Sequence, residues 1–89
     1  MIEKSLDIIN ELGLHARAAA KFVNTANLYK SNISVSRGGR TVNGKSILGV
    51  MMLAAPLGSS IKLNVDGEDE KQAFAAIELL LKNRFDEGR

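Results

Sequence analysis

The chain predicts an α+β open-faced sandwich, a four-stranded antiparallel sheet with three helices on one face, in the order βαββαβα. Three observations carry this reading. Segments that alternate apolar and polar residues, as strands do, are interleaved with segments whose apolar residues recur at helical spacing. A Gly38-Gly39 pair separates two of the strand-like segments, the signature of a two-residue hairpin. With 89 residues, 45% of them hydrophobic, the chain has material for one core, so residues 1–89 form one domain.

The elements follow in order. Ile2, Leu6 and Ile8 alternate with Glu3, Ser5 and Asp7 as a first strand. Ala19, Phe22, Val23 and Ala26 recur at i, i+3, i+4 and i+7, giving a helix from about Ala16 to Leu28. Ile33 and Val35 alternate with Asn32, Ser34 and Ser36, and the glycine pair turns the chain back into Thr41 and Val42. Ser46 is a good N-cap for a short helix through about Leu53, which Pro56 and Gly58 end. Ile61, Leu63 and Val65 alternate as the last strand. Asp69 with Gln72 forms a capping box for a final helix whose apolar positions include Ala73, Ile77, Leu80 and Leu81. Ser34, Ser36, Lys62 and Asn64 suit a sheet face left to solvent.

Composition narrows the function. There is no cysteine, which excludes disulfides and thiolate metal sites. A single histidine falls short of the four or so ligands zinc wants, so no metal is expected. The N-terminal residues lack the apolar core of a signal peptide. The longest apolar stretch, Ile47 to Leu57, is shorter than the roughly 20 residues that span a bilayer. The expectation is a cytoplasmic protein with no membrane insertion. Charge is unevenly distributed: Leu12 to Val65 holds no Asp or Glu and carries +7, from Arg17, Lys21, Lys30, Arg37, Arg40, Lys45 and Lys62, while the flanks together carry −5. An anionic ligand or partner for the middle of the chain follows; scattered solvated lysines are the plainer account.

The stretch "GLHARAAAKFV", Gly13 to Val23, sharpens that inference. A helix start leaves about four N–H groups unpaired and carries roughly half a positive charge. None of the usual capping residues stands there; His15 does, and Arg17 in the first turn has the wrong sign for the dipole, a cost of about 0.3–1 kcal/mol. The pattern makes sense for a site that receives an anion, with free N–H groups and Arg17 holding it. A neutral imidazole at the same place is a nucleophile able to carry a phosphoryl group. The alternative from spacing alone is that His15 caps the helix or packs on the core and Arg17 is merely solvated.

"VNGKSILGVMM" repeats the theme at the second helix start. Ser46 reads first as a cap; as a phosphorylation site it would place about −1.5 to −2 charges at a favourable helix end. The apolar Ile47, Leu48, Val50, Met51, Met52 and Leu53 surround the helix, so those that do not fill core are exposed, and methionine suits a surface that fits several partners.

Together the two stretches, with "LGSSIKLNVDGEDE" and the terminal helix, resemble the HPr family, the histidine-containing phosphocarriers of the bacterial phosphoenolpyruvate-dependent phosphotransferase system. The resemblance spans essentially the whole chain and implies the HPr-like fold. It implies that His15 accepts a phosphoryl group on Nδ1 from phosphorylated enzyme I and passes it to a histidine of an A-type component, serving sugar uptake, regulation or both. Arg17 and the backbone N–H groups of Ala16 and Arg17 would hold the group. Ser46 matches the serine modified by HPr kinase/phosphorylase in many members, and Ala20, Ile47, Leu48 and Met51 fall where partners dock. The implied protein is a monomeric stoichiometric carrier, not an enzyme, and needs no cofactor. One residue departs from the family pattern: Ala18 stands where proline usually follows the arginine, adding an N–H and some backbone freedom.

A carrier must keep its phosphoryl group from water, so a general base beside His15 would be a liability; the nearest carboxylate in sequence is Glu11. Two rival functions remain. A nucleic-acid-binding α+β domain fits the basic middle and "SRGGR", although Tyr29 is the only aromatic between Phe22 and Phe74 and no base-stacking surface is evident. A small acylphosphatase-type hydrolase fits the size and layout but lacks a glycine-rich phosphate loop with a nearby arginine.

Overall fold

A computed structural model describes residues 1–89. The sheet holds β1 (Ile2–Asp7), β2 (Asn32–Arg37), β3 (Arg40–Asn43) and β4 (Ser60–Asp66). Three helices, α1 (Ala16–Ala26), α2 (Ile47–Met51) and α3 (Glu70–Lys82), complete the expected order. The strands lie in the order β1-β4-β2-β3, every neighbour antiparallel.

Register places one residue set on each face. Leu6 stands opposite Ile61, Val35 opposite Leu63 and Ile33 opposite Val65, and all six are buried. On the other face Ser34 faces Asn64 and Ser36 faces Lys62, the solvent side that the alternation predicts. Phe22 from α1, Val50 from α2 and Phe74 and Ile77 from α3 close over the apolar face as one core. Lys4 shares that face but sits on the edge strand, where its ammonium reaches Glu78 of α3 at 3.2 Å.

Local chemistry sets the element ends. Gly38 and Gly39 have φ of +55° and +83°, and Arg37 pairs with Arg40 across them, so the expected hairpin forms. α1 stops two residues before the expected Leu28 because Leu28 and Tyr29 bond to carbonyls three residues back, tightening the last turn. α2 ends at Met51 rather than Leu53 for the same reason: Leu53 and Ala54 bond to Val50 and Met51. Ser46 caps α2 as expected, its hydroxyl accepting from the Gly49 N–H at 3.1 Å.

The capping box on α3 does not form. Asp69 occupies the N-cap position, but its carboxylate is turned away and accepts from the N–H groups of Lys30 and Ser31 at 2.8 and 2.9 Å and from the Ser31 hydroxyl at 2.5 Å. These three donors at the entry to β2 outbid a single helix N–H. Gln72 is exposed.

After α3 the chain makes a feature no periodicity announced. Arg84, Phe85 and Asp86 all have positive φ, 54°, 54° and 60°, and form a tight turn that sends residues 87–89 back towards the start of α1. Phe85 is fully buried within it.

Candidate functional site

The site is built where the loop after β1 enters α1. Gly13 has φ of +68°, and a Cβ there would run into the Ala55 carbonyl and lie 2.9 Å from the Pro56 Cα. The next residue, Leu14, is buried and donates its N–H to that same Ala55 carbonyl at 2.9 Å. Pinned in this way, the chain delivers His15 to the N-cap of α1 in an extended conformation, with its carbonyl accepting from the Ala19 N–H at 2.8 Å.

No side chain caps the helix. The N–H groups of Ala16, Arg17 and Ala18 find no backbone partner, and the first turn holds no acidic residue. Arg17 is exposed and makes neither hydrogen bond nor ion pair. This isolation separates it from most of the basic middle segment. Lys21, Arg37, Arg40 and Lys45 donate to the carbonyls of Phe85, Leu53, Met52 and Tyr29, and Lys62 lies 3.8 Å from Glu3. Most of these basic side chains are thus tied to neighbours within the chain, whereas Arg17 is left free for a ligand. Ala18 is fully buried, so its methyl group packs where the ring of a proline would otherwise sit, and its own N–H lies beneath the surface, outside the pocket that Ala16 and Arg17 line.

His15, Ala16 and Arg17, all expected site residues, line one open pocket of about 530 Å³ with Leu12, Glu87 and Arg89. Nothing in the sequence pattern marks Glu87 or Arg89 as a site residue. His15 Nε2 donates to Glu87 Oε2, and Glu87 Oε1 accepts from Asn10 Nδ2 at 3.1 Å. The same amide donates to the Gly13 carbonyl at 2.8 Å. Glu11 instead faces Arg89, at 3.7 Å, so the carboxylate nearest His15 in sequence is not the one beside it in space. The His15 side chain is 29% exposed and that of Glu87 only 7%: the ring is reachable, the carboxylate sheltered. Burial pushes the Glu87 carboxyl up, but hydrogen bonds from His15 and Asn10, with the charges of His15 and Arg17, outweigh it and hold it below its ordinary value.

The sequence signal for this contact is faint. Phe85, an apolar residue after the polar Lys82-Asn83-Arg84, hints that the chain returns to the core, but nothing in spacing directs Glu87 to a histidine 72 residues away.

The other expected residues gather on the adjoining surface. α2 packs beside α1, exposing Ile47, Leu48 and Met51 while Val50 and Leu53 enter the core. Ala20 on α1 is half-buried, and Ser46 is half-buried and outside the pocket lining.

A family model described as the "PTS HPr component phosphorylation site" matches residues 2–83. The chain is 51% identical over 88 residues to the phosphocarrier protein HPr of Cupriavidus necator, covering 99% of each. It is 52% identical over 87 residues to that of Xylella fastidiosa strain Temecula1, covering 98% of each. The crystal structure of an HPr from Thermoanaerobacter tengcongensis superposes with a TM-score of 0.94 at 42% identity, covering 98% of both chains.

Proposed function

The chain belongs to the HPr family, the phosphocarriers of the phosphotransferase system, and on that premise we propose that it carries a phosphoryl group on His15. The observation that carries the proposal is the arrangement at the mouth of α1. A partly exposed imidazole stands beside the unpaired N–H groups of Ala16 and Arg17 and an unpartnered arginine. Phosphoryl transfer asks for positioning and charge stabilisation rather than covalent help, and this arrangement offers both. The donor is phosphorylated enzyme I, itself charged by phosphoenolpyruvate, and the acceptor a histidine of an A-type component. Arg17 and the N–H groups of Ala16 and Arg17 hold the group between the two steps.

Because the protein is itself modified and regenerated, it acts as a stoichiometric carrier in the cytoplasm, not as an enzyme. The carrier is read as a monomer that meets donor and acceptor one at a time. Ile47, Leu48, Met51 and Ala20 form the surface on which donor and acceptor dock in turn. Ser46 is the site at which HPr kinase/phosphorylase would act: its half-buried hydroxyl already sits at a helix N-cap, where phosphate is electrostatically favoured. The test is a relay reconstituted from phosphoenolpyruvate, enzyme I and an A-type component. Label should pass through the wild-type protein to the acceptor and stop when His15→Ala replaces it; passage through His15→Ala would overturn the proposal.

A further inference from the structure

Glu87 is the group at the pocket that phosphate binding does not explain. A carboxylate facing an anion site repels the anion, and to a phosphohistidine it is a general base in waiting. Its position is nonetheless firmly built. The turn that brings it there places three consecutive non-glycine residues in the left-handed region, which L side chains rarely adopt. Such backbone persists where its surroundings enforce it. Here the buried Phe85 ring, the Lys21 ammonium on the Phe85 carbonyl at 2.8 Å, and the Glu11 N–H on the Arg89 carbonyl at 3.1 Å hold it. Asn10, fully buried, commits its amide to Glu87 and Gly13, leaving its own Oδ1 without a partner.

We propose that Glu87, held by Asn10, is a positioning residue for phosphoryl transfer: it keeps the proton of His15 on Nε2 and so presents the Nδ1 lone pair to phosphorus. The inference rests on the reading of His15 as the acceptor. A carboxylate can only accept, so the ring nitrogen facing it must be the one bearing hydrogen, and in the neutral ring the other nitrogen then holds the lone pair. Nothing in the protein hydrogen-bonds to Nδ1.

The step balances without a base. The Nδ1 pair forms the new P–N bond while the donor's bond to phosphorus breaks and its electron pair returns to the donor. No proton leaves His15. The ring gains positive charge, and the Nε2 proton stays between it and Glu87, whose negative charge offsets the gain; the reverse step uses the same proton to keep the ring a good leaving group. Occupied by His15 on one oxygen and Asn10 on the other, and on the far side of the ring from Nδ1, Glu87 is poorly placed to activate water against the phosphoryl group. Arg17 on α1 and Arg89 on the returning tail are the other charged groups lining the pocket.

The experiment uses full-length wild-type protein, Glu87→Gln, Glu87→Ala and Glu87→Asp, each checked for the buried Phe85 ring by NMR. Ring-nitrogen NMR at pH about 8.5, two units above an ordinary imidazole, needs no phosphoryl donor. Wild type should show one tautomer, hydrogen on Nε2, with that proton slow to exchange. Glu87→Gln, whose amide can accept from or donate to Nε2, and Glu87→Ala should show mixed tautomers and fast exchange. With enzyme I as donor, both should lose about tenfold or more in kcat at little change in KM, and Glu87→Asp should recover part of it. Unchanged tautomer and exchange in Glu87→Ala, or unchanged kcat, would overturn the proposal while leaving His15 as acceptor. A wild-type protein that takes no phosphoryl group would instead overturn the carrier reading, and with it the proposal.

Discussion

The Glu87 carboxylate bridges His15 Nε2 and the Asn10 amide, joining residues 72 and 77 positions apart into one hydrogen-bonded line beneath the mouth of α1. That line lies beside the unpaired N–H groups that begin α1.

On the proposed reading, Arg17 serves the phosphoryl site at a cost to the resting fold. A cation in the first turn opposes the helix dipole, and Arg17 makes no hydrogen bond or ion pair to offset this, only a longer-range attraction to Glu87. Arg17→Ala should therefore raise the free energy of unfolding by about 0.3–1 kcal/mol in denaturant titration. The same variant should take up phosphoryl groups about 100-fold more slowly, the typical loss when a preorganised contact to developing charge is removed.

Gly13 fixes where His15 arrives. Gly13→Ala combines a left-handed residue with a collision at the Ala55 carbonyl, so it should destabilise by about 2–4 kcal/mol. Since the Asn10 amide is anchored on the Gly13 carbonyl, the His15 ring resonances should shift with it, which two-dimensional NMR of the folded fraction would register.

Ser46 offers a clean separation of cap from signal. Ser46→Ala removes the bond to the Gly49 N–H and should cost about 0.5–2 kcal/mol in thermal or chemical unfolding. Ser46→Asp restores an acceptor and a favourable charge and should recover most of that stability. If the exposed face of α2 is the docking surface, the same variant should weaken association with enzyme I, read by titration calorimetry, because the added charge lies beside Ile47 and Leu48.

Asp69 governs part of the acid limit. Hydrogen bonds from the Ser31 hydroxyl, then from the Lys30 and Ser31 N–H groups, hold its carboxyl below the ordinary 3.8. The folded state thus keeps Asp69 charged to lower pH than the unfolded chain. Its contribution is present in full above the unfolded value and is lost as pH falls through the depressed folded one. Asp69→Asn should be less stable than wild type at pH 7, and the gap should narrow as unfolding is measured below pH 4.

The sheet was legible because one face is buried: alternation at Ile33, Val35, Ile61, Leu63 and Val65 specifies register as well as strand. Gly38-Gly39 and the Ser46 cap were legible because each needs only its near neighbours. Asp69 misled because its side chain found better donors across the fold, at Lys30 and Ser31, than the helix it precedes. The site divides the same way. His15, Arg17 and the free N–H groups lie within one helical turn and can be read in order, whereas Asn10 and Glu87 meet only after the sheet has closed and Phe85 has drawn the tail back over the core.

The central claim concerns one nitrogen atom. Protein labelled with nitrogen-15 in its single histidine, incubated with phosphoenolpyruvate and enzyme I, should show one phosphorus nucleus coupled to His15 Nδ1, with hydrogen retained on Nε2. Coupling to Nε2, or an imidazole unchanged after the reaction, would contradict it.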